Sequence, residues 1–163
     1  MRPKQIKHPV VLTLAILYVL AVLFLLVIPN NYRGHNVLVG GLTWELWAAH
    51  IGRSWNLVPF RGIVEQIGSI LAGEDAARNI IYLAGNLIGF SPLGYFLPAL
   101  FSKQRKFRAF IITVVPALVC LELAQLMTMR GSFDIDDIIF NTAGACLGFW
   151  ILKRSSAFSP GNR

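Results

Sequence analysis

The chain has 163 residues, fifteen Lys and Arg against eight Asp and Glu, a formal charge of +7, and 55% apolar composition. That length suits a single domain, 1–163, and is short for two. A soluble core of this size does not need so much apolar sequence, so an integral membrane protein is the expected class. Cys120 and Cys146 lie inside apolar runs and read as small hydrophobes, not as a disulfide, metal or nucleophile site.

Val10 to Ile28 form an unbroken apolar run. At 1.5 Å per residue it spans about 28 Å, close to the hydrocarbon thickness of a bilayer. Arg2, Lys4, Lys7 and His8 precede it, and Pro29-Asn30-Asn31-Tyr32-Arg33 follow without a small-residue cleavage site, so the run reads as an uncleaved anchor. The next stretch, 29–78, reads as a long outer loop that holds three of the four Trp. Leu42, Trp44, Leu46, Trp47 and Ile51 fit a short helix of the aromatic belt, a better match than a ligand box. Pro59 ends any helix before it. Ile63, Val64, Ile67, Ile70 and Leu71 then repeat at amphipathic spacing, with Glu65, Gln66 and Ser69 on the other side, up to Gly73. This helix is expected flat on the outer surface or folded over the bundle.

The second span covers 79–101 and contains Pro92 and Pro98. Asn79, Tyr82 and Asn86 share one of its faces, and Gly85 and Gly89 make a small-residue pair expected to match Gly144 and Gly148. The third span covers 109–129 and carries Glu122 and Gln125. The fourth covers 135–152, after the turn Arg130-Gly131-Ser132. Ten Lys/Arg lie on the side of the N-terminus, the turn 102–108 and the C-terminal tail, and five on the other. By the positive-inside rule both termini are cytoplasmic and the long loop is external. The basic surplus is therefore a topology signal, and nucleic-acid binding is unnecessary to explain it. The expected fold is an all-α membrane protein of four transmembrane helices, with one or two interfacial amphipathic helices in the outer loop.

Candidate chemistry gathers at one depth. Asp137, Asn141, Gly144 and Gly148 fall on one stripe of the fourth span, which must face protein because lipid would not tolerate it. Asn86, Glu122 and Asn141 each lie about 10 Å inside the outer end of their spans. Gln125, Asp137, Asn79 and Tyr82 lie above them, and Arg130, Arg61 and Arg78 stand near the mouth. These positions suggest a polar cleft open to the outside. Each residue also has a plainer explanation. Asp134 and Asp137 fit a helix cap and its partner; Glu122, Asn86, Gln125 and Asn141 fit interhelical glue; His35 and His50 have no second metal ligand nearby in sequence. Convergence on one depth favours a site, because isolated polar groups there are costly.

A further pattern runs through Asn56-Leu57-Val58-Pro59-Phe60, Asn86-Leu87-Ile88-Gly89-Phe90-Ser91-Pro92-Leu93-Gly94 and Glu122-Leu123-Ala124-Gln125. It continues with Arg130, Phe133-Asp134-Ile135-Asp136-Asp137 and Asn141-Thr142-Ala143-Gly144. In order and spacing this set resembles the VanZ-like family of bacterial membrane proteins, over about Asn56 to Trp150. The resemblance implies a small multi-pass protein of the bacterial plasma membrane. The family's name-giving member is linked to glycopeptide resistance, to teicoplanin in particular, and the resemblance supplies no reaction.

The leading expectation is a protein of the cell envelope whose outward cleft binds a polar head group: a cell-wall precursor, a phospholipid or a glycopeptide. Asn56, Asn79, Tyr82, Asn86, Glu122, Gln125, Arg130, Asp134, Asp136, Asp137 and Asn141 are the candidate ligand-binding residues. The alternative is a membrane enzyme with Glu122 and Asp137 as acid or base and Asp136/Asp137 holding a cation or positioning water. A third reading makes all these groups structural. The sequence carries no nucleophile beside a base and no strong metal spacing, so no cofactor or resident metal is expected.

Overall fold

The computed structural model describes residues 8–27 and 43–155. The basic residues 1–7, the start of the outer loop with Arg33, His35 and Leu42, and the polar tail 156–163 lie outside the described residues. The described chain is almost wholly helical: α1 His8–Val27, α2 Trp44–Arg53, α3 Arg61–Leu71, α4 Ala76–Leu100, α5 Phe107–Met127 and α6 Ile135–Arg154. Two short strands, β1 Trp55–Asn56 and β2 Phe133–Asp134, pair in parallel.

By length and apolar composition α4, α5 and α6 can each cross a membrane. α1 is apolar throughout Pro9–Phe24 among the described residues, a shorter stretch than those of the other three. Three spans therefore meet this measure where the sequence alone leads to four, and α1 is the difference. α2 and α3 lie in the stretch between α1 and α4.

The core is built on α6. On α5, Phe110, Val114, Leu118, Glu122 and Leu126 are buried, one in every fourth position, so a single stripe faces inward and Glu122 lies within it. Phe110, Val114 and Leu118 pack with Ile138, Ala145 and Phe149 of α6. The outward faces carry exposed residues such as Ile81, Ile88, Ile112 and Ile151, as a lipid-facing surface should. Lipid tails are as apolar as these side chains, so close packing must hold the helices together.

α4 and α6 approach each other closely. A Cβ on Gly144 would lie 2.1 Å from the Leu87 carbonyl oxygen, and one on Gly148 would lie 1.8 Å from that of Ser91. In return, a Cβ on Gly94 would lie 1.7 Å from the carbonyl oxygen of Ala145. Backbone meets backbone, and no side chain fits between. The stripe of α6 thus faces protein, but its partners differ from those expected. Gly85 and Gly89 have nothing within 4 Å of a built Cβ and do not pack against Gly144 and Gly148. The Gly89 carbonyl instead accepts a hydrogen bond of 2.9 Å from Tyr18 of α1. With Val11 and Ala15 buried, this contact seats α1 on α4.

Candidate functional site

Above this packed interface the polar residues divide into a buried network and an open cleft. The network starts at the strand pair. Register sets Trp55 beside Phe133 and Asn56 beside Asp134, and the Phe133 N–H donates to the Ser54 carbonyl at 2.8 Å. Asp134 then caps α6: its Oδ1 accepts the Asp136 N–H at 2.8 Å. The same oxygen accepts Asn56 Nδ2 at 3.0 Å. From below, Glu122 Oε2 accepts the Asp134 N–H at 3.3 Å. Glu122 is 2% exposed, so its carboxylate lies beneath the start of α6, where the helix dipole favours negative charge.

Asp136 is the third carboxylate and reaches back more than seventy residues in sequence. It is 5% exposed. Its Oδ2 accepts the N–H groups of Gly62 at 2.8 Å and Ile63 at 3.3 Å, and its Oδ1 accepts that of Phe60. These are the orphan donors at the N-terminus of α3, which has no side-chain cap of its own. A residue of α6 therefore caps α3 from across the fold. Phe60 is held in the left-handed region at φ 66, a conformation an aromatic residue rarely adopts.

Asp137 faces a different helix. Its Oδ1 accepts the Tyr82 hydroxyl and Asn86 Nδ2, the latter at 2.8 Å. Tyr82 and Asn86 are four apart on α4 and share a face. Asp137 is thus an interhelical clamp and not the second half of a cap with Asp134. Asn141 lies one turn deeper at 3% exposure, and its Oδ1 has no hydrogen-bond partner among the described residues.

Over the network opens a cleft of about 760 Å³. One wall is α3, with Arg61, Gly62, Glu65, Gln66 and Ser69; the other is the first turns of α4, with Arg78, Asn79 and Tyr82. Trp55, Asn56 and Asp134 make its floor, so the strand pair joins the two walls. Arg61 pairs with Glu65 at 3.0 Å on an exposed face. Asp134 Oδ2 takes no hydrogen bond from the described residues, and neither does Gln66 Oε1. The cleft therefore offers guanidinium groups and amides as donors and, among the described residues, Asp134 Oδ2 and Gln66 Oε1 as unspent acceptors.

The VanZ/LLP1 family matches residues 15–157, most of the chain. The chain belongs to this family. No curated protein and no solved structure matches it. Family membership and three helices apolar enough to span a bilayer make it a membrane protein.

The cleft of this VanZ/LLP1 protein contains four of the eleven candidate ligand-binding residues: Asn56, Asn79, Tyr82 and Asp134. Asp137 and Asn86 stand directly behind it through Tyr82. Glu122 and Asp136 form the floor's support, and Asn141 is sealed below. Gln125 and Arg130 do not line the cleft; the Gln125 carbonyl instead accepts the Arg130 and Gly131 N–H groups in the turn after α5. The expectation of one water-filled pocket reaching Glu122 and Asn141 is therefore corrected. Backbone amides at the ends of α3 and α6 consume the buried carboxylates, and the open space begins one layer higher.

Sequence reasoning missed Trp55, Gly62, Glu65, Gln66 and Ser69 as cleft residues. The amphipathic period of α3 was the available signal, since it marks a polar face without telling which way that face turns. His50 is also tied in: Ser54 Oγ lies 3.1 Å from its Nδ1, and its Nε2 meets the Gly131 carbonyl at 3.1 Å. A carbonyl can only accept, so Nε2 carries the proton. Trp47 Nε1 donates to the Met127 carbonyl at 3.0 Å, so α2 is fastened to the end of α5.

Proposed function

We propose that this VanZ/LLP1 protein binds a polar head group in the cleft between α3 and α4 on the outer face of the bacterial plasma membrane. In this reading α1 is a fourth span, both termini are cytoplasmic, and α2 and α3 lie at the outer interface. The head group belongs to a cell-wall precursor, a phospholipid or a glycopeptide, and the protein contributes to teicoplanin-type resistance by modifying access to it. The observation that carries the reading is the cleft itself: about 760 Å³ of open space lined by Arg61, Arg78, Asn56, Asn79 and Tyr82. Arginine suits phosphate and carboxylate through its planar donor fork, and the amides suit hydroxyls and amines.

A catalytic role for Glu122 finds less support. Its carboxylate accepts a backbone N–H at 2% exposure, away from the cleft lining. Asp136 as a cation ligand is also poorly supported, because backbone amides occupy both its oxygens. Asp137 is the remaining acid/base candidate, reached from the cleft through the Tyr82 hydroxyl.

The test is complementation of a deletion strain with Arg78→Gln and Asn79→Ala, read as teicoplanin susceptibility at matched membrane levels. Loss of the resistance contribution in both variants is expected. Full complementation by both variants sinks the head-group reading.

A further inference from the structure

α3 is turned inside out by the standards of a water-soluble protein. Its polar residues Glu65, Gln66 and Ser69 line the cleft. Its apolar residues Val64, Ile67 and Leu71 point away from it, at 66%, 45% and 83% exposure. Leu57, Val58 and Phe60, in the turn before it, are each more than half exposed. A contiguous apolar surface of this kind, on a chain with three span-length helices beside it, belongs against lipid. The wall of the cleft is thus polar inside and lipid-facing outside. A molecule already resident in the bilayer can place its head in the cleft while its chains stay among the other lipids.

The interior narrows the chemistry of that head. Arg61 and Arg78 both line the cleft and fit a phosphodiester. The acceptors need a donor of opposite kind. Among the described residues, Gln66 Oε1 is a buried atom with no donor, and Asp134 accepts hydrogen bonds through Oδ1 alone. A buried acceptor without a partner is costly, so a ligand that supplies N–H groups is favoured over one that cannot. One of the two acceptors is a carboxylate, which favours an ammonium over a hydroxyl.

We infer that the cleft selects a membrane lipid whose head joins a phosphodiester to a primary ammonium, with phosphate at Arg61 and Arg78 and ammonium at Gln66 and Asp134. Such a lipid enters sideways past the apolar flank of α3. This inference rests on the head-group reading of the cleft and specifies its ligand.

The experiment uses the full chain in detergent and measures lipid binding by native mass spectrometry. The probes are phosphatidylethanolamine, phosphatidylcholine of the same chains, and soluble glycerophosphoethanolamine. The two lipids carry equal charge, but the choline head has no N–H to donate. The ethanolamine lipid is expected to bind about tenfold more tightly than the choline lipid, in line with one or two added hydrogen bonds. Gln66→Leu is expected to reduce that preference several-fold, because the ammonium loses one of its two acceptors. Arg78→Gln is expected to weaken both lipids by about tenfold, the scale of one charge-assisted contact. The soluble head is expected to bind at least about a hundredfold more weakly than the lipid, because it lacks the apolar contacts. Thermal melts of both variants establish that they are folded.

If Arg78→Gln changes neither lipid, the head-group reading falls, and this inference falls with it. If Arg78→Gln weakens both lipids but they bind alike, or Gln66→Leu leaves the preference intact, the ammonium assignment falls and the head-group reading stands. If the soluble head binds as well as the lipid, sideways loading is wrong.

Discussion

Asp136→Asn is the most informative single substitution for the architecture. The native carboxylate accepts three backbone N–H groups at the start of α3, from Phe60, Gly62 and Ile63. An amide keeps one accepting oxygen and turns an NH₂ toward donors, so at least one buried N–H loses its partner whichever way it flips. A hydrogen bond to an ionised group contributes about 1.5–3 kcal/mol, and the charge at a helix N-terminus about 0.3–1 kcal/mol. The expected loss is about 2–3 kcal/mol, or about 30- to 150-fold in the equilibrium for local opening of α3. The left-handed Phe60 works in the same direction, since such backbone costs a residue with a side chain about 1–2 kcal/mol and releases it on opening. Amide hydrogen exchange is the assay. Exchange across 60–64 should accelerate by that factor while the middle of α6 stays protected. Asp136→Ala, which removes every acceptor, should go further, and Asp137→Asn should leave α3 unchanged. If Asp136→Asn and Asp136→Ala both leave protection across 60–64 as it was, the cross-helix cap is not what holds α3.

Three more outcomes follow from the packing. Gly144→Ala and Gly148→Ala should each lower stability by about 3 kcal/mol, because a methyl there meets backbone, while Gly85→Ala should be silent or slightly stabilising; thermal melts in detergent compare them. A double-mutant cycle between Tyr82→Phe and Asp137→Asn should show a coupling of about 1 kcal/mol, and additive losses would contradict the hydroxyl–carboxylate bond. Trp47→Phe should cost about 1 kcal/mol through the lost bond to the Met127 carbonyl and raise exchange in α2 but not in α3.

Helix positions were legible from the sequence because apolar length and period are local signals. The α5 stripe is an example: Glu122 falls in phase with Phe110, Val114, Leu118 and Leu126, and its inward direction could be read from spacing. The protein-facing stripe of α6 was legible for the same reason. Its partners were not, because Gly144 and Gly148 meet the backbone of Leu87 and Ser91, and a backbone contact leaves no mark in residue type. Asp136 shows the same limit at longer range. In sequence it is an ordinary acid in the first turn of a helix, while its three donors lie more than seventy residues earlier. The direction of α3 failed to show for a different reason. Periodicity separates a polar from an apolar face, but at a membrane interface either face can turn toward protein.

An open cleft lies over sealed polar groups. Thiol labelling from outside intact cells with a membrane-impermeant maleimide tests it most directly, using Ser69→Cys in the cleft wall and Asn141→Cys in the buried stripe. Rapid labelling of Ser69→Cys is expected without permeabilisation, and none of Asn141→Cys until the protein is denatured. Labelling of Ser69→Cys only after permeabilisation, or of Asn141→Cys at a similar rate, would contradict it.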